Sequence, residues 1–390
     1  MTMSAHTWHI NARRLEIKKL HIISFDNPFP PSYGGAIDVY YRVKALAEQG
    51  VNIDLHCFYK DTLRPSGPLE QLCEHVYFYP RKTTLCQQFH LRPYGVVSRT
   101  HPDLLPRLLA DDAPILFEGL TSCGLMAHPA LRQRRKFFRE CNVEHDYYHA
   151  LARASHSWKR EIFFHIEAER LRLFERCLRH ADGIFALAHQ DEAYFRQQYR
   201  TPTYYIPGFH GHQHVETPVP SDSPYILYHG NLSVSENSLA ALYIAEHLAD
   251  KIPARLVIAG YNPPEALKRA VARHANMELI ESPDEDTMNR LLRDAAVHLL
   301  ITFQATGIKL KLLNVLYAGG QVVVNPPMIV GTELDALCHV GHDDEALAAL
   351  CMQYIRQALS PEEKAQRQDA LNRTYNDAVS AQQIVKIIYR

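Results

Sequence analysis

The chain is predicted to be an α/β protein made of two Rossmann-like, doubly wound domains facing one another across a cleft. Three observations predict it. A length of 390 residues exceeds what one ordinary hydrophobic core organises, so the chain is expected to divide. Short, breaker-free apolar runs alternate with segments of helical period, the pattern of a parallel sheet covered on both faces. Residues 206–224 are rich in Pro, Gly and His and have no apolar period, so they read as a linker. The expected division is a first domain at 1–207, a linker at 208–224, a second domain at 225–376 and a terminal helical segment at 377–390.

Residues 1–17 lack periodicity and are expected to form a weakly ordered extension. A strand is predicted at 18–25, followed by a proline-rich loop ending in Gly34 and Gly35. Val39, Val43, Leu46 and Ala47 then mark one face of a helix that stops at Gly50, before a strand at 51–58. This is a βαβ unit with two glycines at its helix entrance. They serve either to let the backbone turn or to let a ligand reach backbone N–H groups. Further strands are expected at 75–79, 115–118, 136–139 and 183–187. One delivers Glu118 and another is followed by Asn142, Glu144, His145 and Asp146, all on the sheet edge that carries the glycines. A Glu in that place can equally cap a helix, and a His can equally be packed or solvated. Residues 147–180 are strongly helical and mixed in charge, a pattern expected of a solvated face with i,i+4 pairs. The basic run 132–136 is expected on the surface, with contact to anionic lipid or a phosphorylated acceptor as the alternative.

In the linker, His210, His212 and His214 lack an acidic or Cys partner at fixed spacing, so no metal site is expected there. The second domain opens with a strand at 225–229, a turn at Gly230 and Asn231, and a helix reaching 248. Strands at 255–260, 277–281, 297–302 and 321–325 follow. The apolar strand at 297–302 leads through Gly307 into a helix marked by Leu310, Leu313, Leu316 and Tyr317. Gly319 and Gly320 stop that helix before the strand Val322-Val323-Val324. Lys309 and Lys311 stand at its start, where the macrodipole disfavours cations. Either both point into water, or an anion such as a diphosphate sits between them and the free N–H groups.

The run Gly307-Ile308-Lys309-Leu310-Lys311-Leu312-Leu313-Asn314, closing in Ala318-Gly319-Gly320-Gln321-Val322-Val323, resembles the donor corner of nucleotide-sugar glycosyltransferases of family four, in their retaining bacterial form. Pro31-Ser32-Tyr33-Gly34-Gly35, the Gly230-Asn231 loop and Arg139-Glu140-Cys141-Asn142-Val143-Glu144-His145 are similar to further motifs of that family, in the same order. Asn314 and Thr306 stand where the family usually carries Glu, and Cys141 where it carries His. The resemblance implies the GT-B architecture, with the terminal helix crossing back to the first domain. It implies transfer of a sugar from a UDP- or GDP-sugar, the base being open, with retention and with neither metal nor cofactor. Lys311, Lys309, Glu118 and His145 are then the catalytic candidates. Gly34, Gly35, Gly230, Asn231, Thr306, Gly307, Ile308, Leu312 and Asn314 join the lysines around the donor, and Asn142, Glu144 and His145 face the sugar or acceptor. The acceptor is expected to be a glycan, a lipid-linked glycan or another hydroxyl compound.

A formal charge of −1 with 46% apolar residues gives no basic excess for nucleic acid. Neither a signal-peptide core nor a run of about 20 apolar residues is present, so a cytoplasmic protein is expected, with peripheral contact at the inner face of the membrane as one placement. The eight cysteines are scattered singly, as reduced thiols would be. Two other readings of the same chain are a non-catalytic nucleotide-sugar or glycan-binding protein and a nucleotide-sugar epimerase.

Overall fold

In the first sheet the strands β4 (Ile115–Glu118), β5 (Lys136–Arg139) and β6 (Gly183–Ala186) have every residue buried, which is why they read as continuous runs rather than alternating ones. They join β1 (Lys18–Ser24), β2 (Val51–Tyr59), β3 (His75–Pro80) and β7 (Thr203–Tyr205) in the order β3-β2-β1-β4-β5-β6-β7. The second sheet has the order β10-β9-β8-β11-β12-β13, from β8 (Tyr225–His229), β9 (Arg255–Gly260), β10 (Met277–Glu281), β11 (Val297–Leu300), β12 (Gln321–Val324) and β13 (His339–Val340). Every strand pair in both sheets is parallel. The order reverses between β1 and β4 and again between β8 and β11, and these switch points put ligand-binding crevices at the carboxyl ends of the strands. The computed structural model describes residues 18–60, 62, 66–153, 157–219, 221–303 and 310–390. The expected extension at 1–17 lies outside them.

Seven helices matter for the site: α1 (Gly34–Glu48), α2 (Glu144–Arg153), α3 (Trp158–Phe174), α4 (His189–Gln198), α5 (Ser235–Tyr243), α6 (Leu310–Ala318) and α7 (Asp377–Ile388). Helix α7 lies in the core of the first domain, where Ala381, Ile384 and Ile388 pack with Val39, Val43 and Leu46 of α1. The short edge strands β7 and β13, three and two residues long, have no counterpart among the predicted strands. Runs that short carry no readable period.

A buried, charge-balanced quartet joins the first sheet to the linker. Arg42 on α1 bonds both Asp38, at 2.5 Å, and Glu118. Arg139 at the end of β5 donates to Asp38 at 3.0 Å and to the carbonyls of Ile206 and Pro207 at 2.5 and 2.9 Å. Asp38 also accepts from the N–H of Phe209 at 2.8 Å. Burial alone would raise the Asp38 pKa, but Arg139 and Arg42 outweigh it and hold the group at about 2. The chain is thereby pinned to the first domain as far as Phe209. From Val215 onward it is pinned to the second, Val215 N–H donating to Gln368 at 2.6 Å and Glu216 N–H to the Tyr317 carbonyl at 2.7 Å.

Candidate active cleft

Beyond β1, Asp26 accepts from the Asn27 N–H and from the Tyr33 hydroxyl, both at 2.9 Å, and so fastens the loop to the start of α1. A Cβ on Gly35 would come 2.8 Å from the Phe25 ring, and one on Gly34 would lie 3.8 Å from Leu310 at the start of α6. Gly35 therefore serves the packing of the loop, whereas Gly34 faces the other domain. Helix α1 has no acidic residue in its first turn and no side-chain cap, which leaves its N-terminal N–H groups uncapped by side chains.

The ends of β4 and β5 correct two expectations. Glu118 does not face the cleft. It is completely buried and both carboxylate oxygens are taken by Arg42, so it works as a structural ion pair. His145 starts α2 but turns away from the domain interface, its Nδ1 3.5 Å from Glu175 Oε2. The Glu175 carboxylate, against the opposing cost of burial, raises the His145 pKa. Asn142 does line the cavity between the domains. Glu144 lies with a carboxylate oxygen 3.9 Å from where a Cβ on Gly119 would sit, and its pKa is pushed up to about 7, by burial first and by Glu175, with Arg99 opposing.

Sequence reasoning missed two carboxyl groups nearby. Asp191, on α4, lines the same cavity, and Glu140, fully buried, accepts from the Leu187 N–H at 2.8 Å. Burial raises the pKa of both. Nothing in the local sequence marks them, because their importance comes from the adjacency of β5 and β6.

On the second domain, Gly230 and Asn231 form the turn after β8. Asn231 Oδ1 accepts from the backbone and hydroxyl of Ser233, at 3.1 and 2.6 Å, and its carbonyl accepts from Asn237 Nδ2 at 3.0 Å. Asn237 Oδ1 in turn accepts from Lys311 Nζ at 2.7 Å. The Lys311 ammonium also lies 5.5 Å from the Tyr228 ring centroid and helps to depress the pKa of His229 to about 3, after burial. A chain of contacts thus holds the cation of α6 over the carboxyl end of β8. Thr302 donates to Glu236, and Asn325 braces Thr302 by two bonds of 3.0 and 2.8 Å.

Thr306, Gly307, Ile308 and Lys309 lie outside the described residues. Leu312 is a correction, since its side chain is wholly buried in the apolar cluster with Leu316, Val322 and Val324. Asn314 accepts from His212 Nε2 at 3.0 Å, a tie between helix and linker. His210, His212 and Tyr317 stack at 4.8–5.5 Å between centroids, and His210 donates through Nε2 to the Tyr375 carbonyl at 2.8 Å.

Between the domains lies a cavity of about 100 Å³, lined by Asn142, Tyr147, Asp191, Leu313, Thr332 and Tyr375 among others. Among the described residues one cluster has metal-like spacing, His21 with Asp54 and Asp111. Lys19 Nζ sits 3.1 Å from both carboxylates and supplies their positive charge, so the group reads as a salt-bridge network.

No family model matches the chain. A curated relative, an "uncharacterized 44.6 kDa protein in cps region" of Klebsiella pneumoniae, is 22% identical over 312 residues, covering 76% of this chain and 80% of that protein. Among solved structures, sucrose-phosphate synthase from Thermosynechococcus elongatus matches with a TM-score of 0.66 at 16% identity, over 95% of this chain and 98% of its own. TarM matches with a TM-score of 0.68 at 9% identity, over 96% and 99%. The two parallel sheets with alternating helices are therefore the GT-B arrangement of these glycosyltransferase structures.

Proposed function

We propose that the protein is a glycosyltransferase that moves a sugar from a nucleoside diphosphate sugar, UDP- or GDP-linked, to a hydroxyl of a glycan or lipid-linked acceptor. The observation that carries this reading is the placement of Lys311, whose ammonium is held by Asn237 beside the turn after β8, on a helix whose first residue, Leu310, lies 3.8 Å from where a Cβ on Gly34 would sit. Charge develops on the departing diphosphate in the transition state, so a fixed ammonium and uncapped helix N–H groups stabilise that state more than the ground state. The shared fold supports the reaction class, and the relative from a cps region supports a place in polysaccharide biosynthesis. Retention of configuration and independence of metal extend the family resemblance. On the acceptor side, Asn142, Glu144 and Asp191 are the polar groups to position a hydroxyl.

A second reading, a binding protein without turnover, is favoured by Asn314, whose side chain is engaged by His212. The deciding experiment is a thermal-shift panel of nucleoside diphosphates and their sugars, with and without chelator, followed by product analysis. Selective, chelator-insensitive stabilisation by one nucleoside diphosphate is expected, with turnover only when an acceptor is present. In Lys311→Ala, kcat/KM should fall tenfold or more. Unchanged kinetics in the folded variant would remove Lys311 from the site. Binding without turnover would establish the second reading, and conversion of donor without acceptor would indicate an epimerase.

A further inference from the structure

Helix α3 is turned inside out. Its buried residues are Glu167, Ala168 and Leu171, while Trp158, Ile162, Ile166 and Leu173 are exposed. At 100° per residue these four fall within one arc of roughly 80°, so they form an apolar stripe facing solvent, interrupted by Glu169, which pairs with Arg172. Trp158 is 68% exposed. The segment before α3 in space enlarges the stripe, because Arg170 donates to the Gln88 carbonyl at 2.9 Å and holds Phe89 and Leu91, 83% and 93% exposed, beside the helix. Scattered surface apolar residues need no explanation, but four large ones along one helix face, with two more on the adjoining segment, do.

At its C-terminal end the stripe runs into a broad surface pocket of about 1010 Å³. Leu173 belongs to both, and the pocket's charged lining is Arg172, Arg176, Arg179 and Arg200 with the acidic Asp182 and Glu175. Among the described residues, neither Arg176 nor Arg200 is paired with a carboxylate. The floor is made by Glu175, which accepts from the hydroxyls of Tyr194 and Tyr199 at 2.7 and 2.8 Å, and by His145. His145 is 8% exposed and its Nδ1 lies 3.5 Å from Glu175 Oε2. Lys159, its ammonium 5.6 Å from the Trp158 ring centroid, stands at the other end of the stripe.

We infer that the outer face of α3, with the arginine pocket at its end, is a docking surface for an anionic lipid bilayer, the apolar stripe entering the acyl boundary and the arginines taking a phosphate headgroup. An apolar face alone would suit many partners. A face that joins aromatic and aliphatic side chains to arginines, of which Arg176 and Arg200 have no carboxylate partner among the described residues, is complementary to one surface in particular, a layer of hydrocarbon under negative charge. Since α2, packed against α3, begins at the cleft with Glu144, such docking brings the acceptor side of the cleft to the lipid surface. The inference needs no donor and holds whether or not the domains transfer sugar.

The test is co-sedimentation of the full chain with vesicles of phosphatidylcholine alone or mixed with phosphatidylglycerol, at low and high salt. Binding to the anionic vesicles only, weakened by salt, is expected. Ile162→Ser/Ile166→Ser and Arg176→Ala/Arg200→Ala should each lower the partition coefficient about tenfold or more, with unchanged melting because all four side chains lie at the surface. Calorimetry with glycerol phosphate and with inorganic phosphate separates a headgroup from a free anion. Saturable phosphate binding without vesicle binding would overturn the inference in favour of a small-anion site. Absence of vesicle binding, with self-association lost in Ile162→Ser/Ile166→Ser, would overturn it in favour of an interface between two copies. Equal binding by the wild type and both double variants would place the contact elsewhere.

Discussion

Glu144 illustrates how a single side chain acquires its chemistry from position. A Glu in a helix's first turn is ordinarily a solvated dipole partner, yet here burial sets its pKa near 7. Because the folded value is raised above the unfolded one of about 4.3, the contribution to stability is complete below pH ~4.3 and is lost as pH rises through about 7. Glu144→Gln should therefore melt higher than the wild type at pH 8 and at nearly the same temperature at pH 5. An equal difference at both values, read by differential scanning fluorimetry, would show that the carboxyl is not protonated in the fold. Lys311 shows the complementary case. Its type and spacing were readable in the sequence, but the partner that aims it, Asn237, comes from another helix and was not.

At the scale of elements, α1 and β5 are coupled by the buried quartet of Asp38, Arg42, Glu118 and Arg139. Removing one member leaves an uncompensated charge, so Asp38→Asn should destabilise by about 3–5 kcal/mol at pH 7, measured by urea unfolding. The Asp38 pKa is depressed, so its contribution is present above ~3.9 and disappears as pH falls through about 2. The gap between wild type and variant should close over that interval. A gap independent of pH would mean that Asp38 acts through packing rather than charge. Helix α3 gives a different lesson. Its charged pairs exist, Arg170 with Glu167 and Arg172 with Glu169, both at 2.7 Å, but the expected solvated face carries the apolar stripe instead. Periodicity reports that a helix has two faces and does not report which one the domain covers. The basic run 132–136 lies at the surface at Arg132, Gln133 and Arg135, as expected, while Arg134 and Lys136 turn inward. Arg134 bonds the carbonyls of Leu108, Asp111 and Ala113, and the Lys136 ammonium donates to the buried Met126 carbonyl at 3.2 Å.

For the whole molecule, the two chain crossings between domains lie side by side. Gly211 N–H donates to Asp377 at 2.8 Å, and His210 meets the Tyr375 carbonyl. Pinned on one side at Phe209 and on the other at Val215, the chain crosses between the domains through residues that are themselves held, His212 bonding Asn314 and the Gln213 carbonyl accepting from Gln368 at 3.1 Å. Gly211 has φ +79, and a Cβ there would fall 2.0 Å from the Tyr41 ring. Gly50 has nearly the same φ, +75, with nothing within 4 Å. Gly50→Ala should cost about 1 kcal/mol of backbone strain, whereas Gly211→Ala should cost several times that and lower the cooperativity of thermal unfolding by calorimetry. Equal effects would show that Tyr41 yields and that the crossing is loose.

The sequence by itself determined the alternation of strands and helices, the break into two sheets near residues 206–224 and the glycines and lysine at the strand-to-helix turns. Each of these is set by local chemistry: apolar runs, chain breakers, and backbone that must turn or approach closely. Only the tertiary structure decided what those turns face. It buried Glu118 against Arg42, turned His145 into an arginine pocket, gave Asn314 to the linker, brought Asp191 and Glu140 to the cleft and left the apolar side of α3 in solvent. Orientation of that kind depends on which element packs over which, a relation between residues far apart in the chain that no local pattern carries.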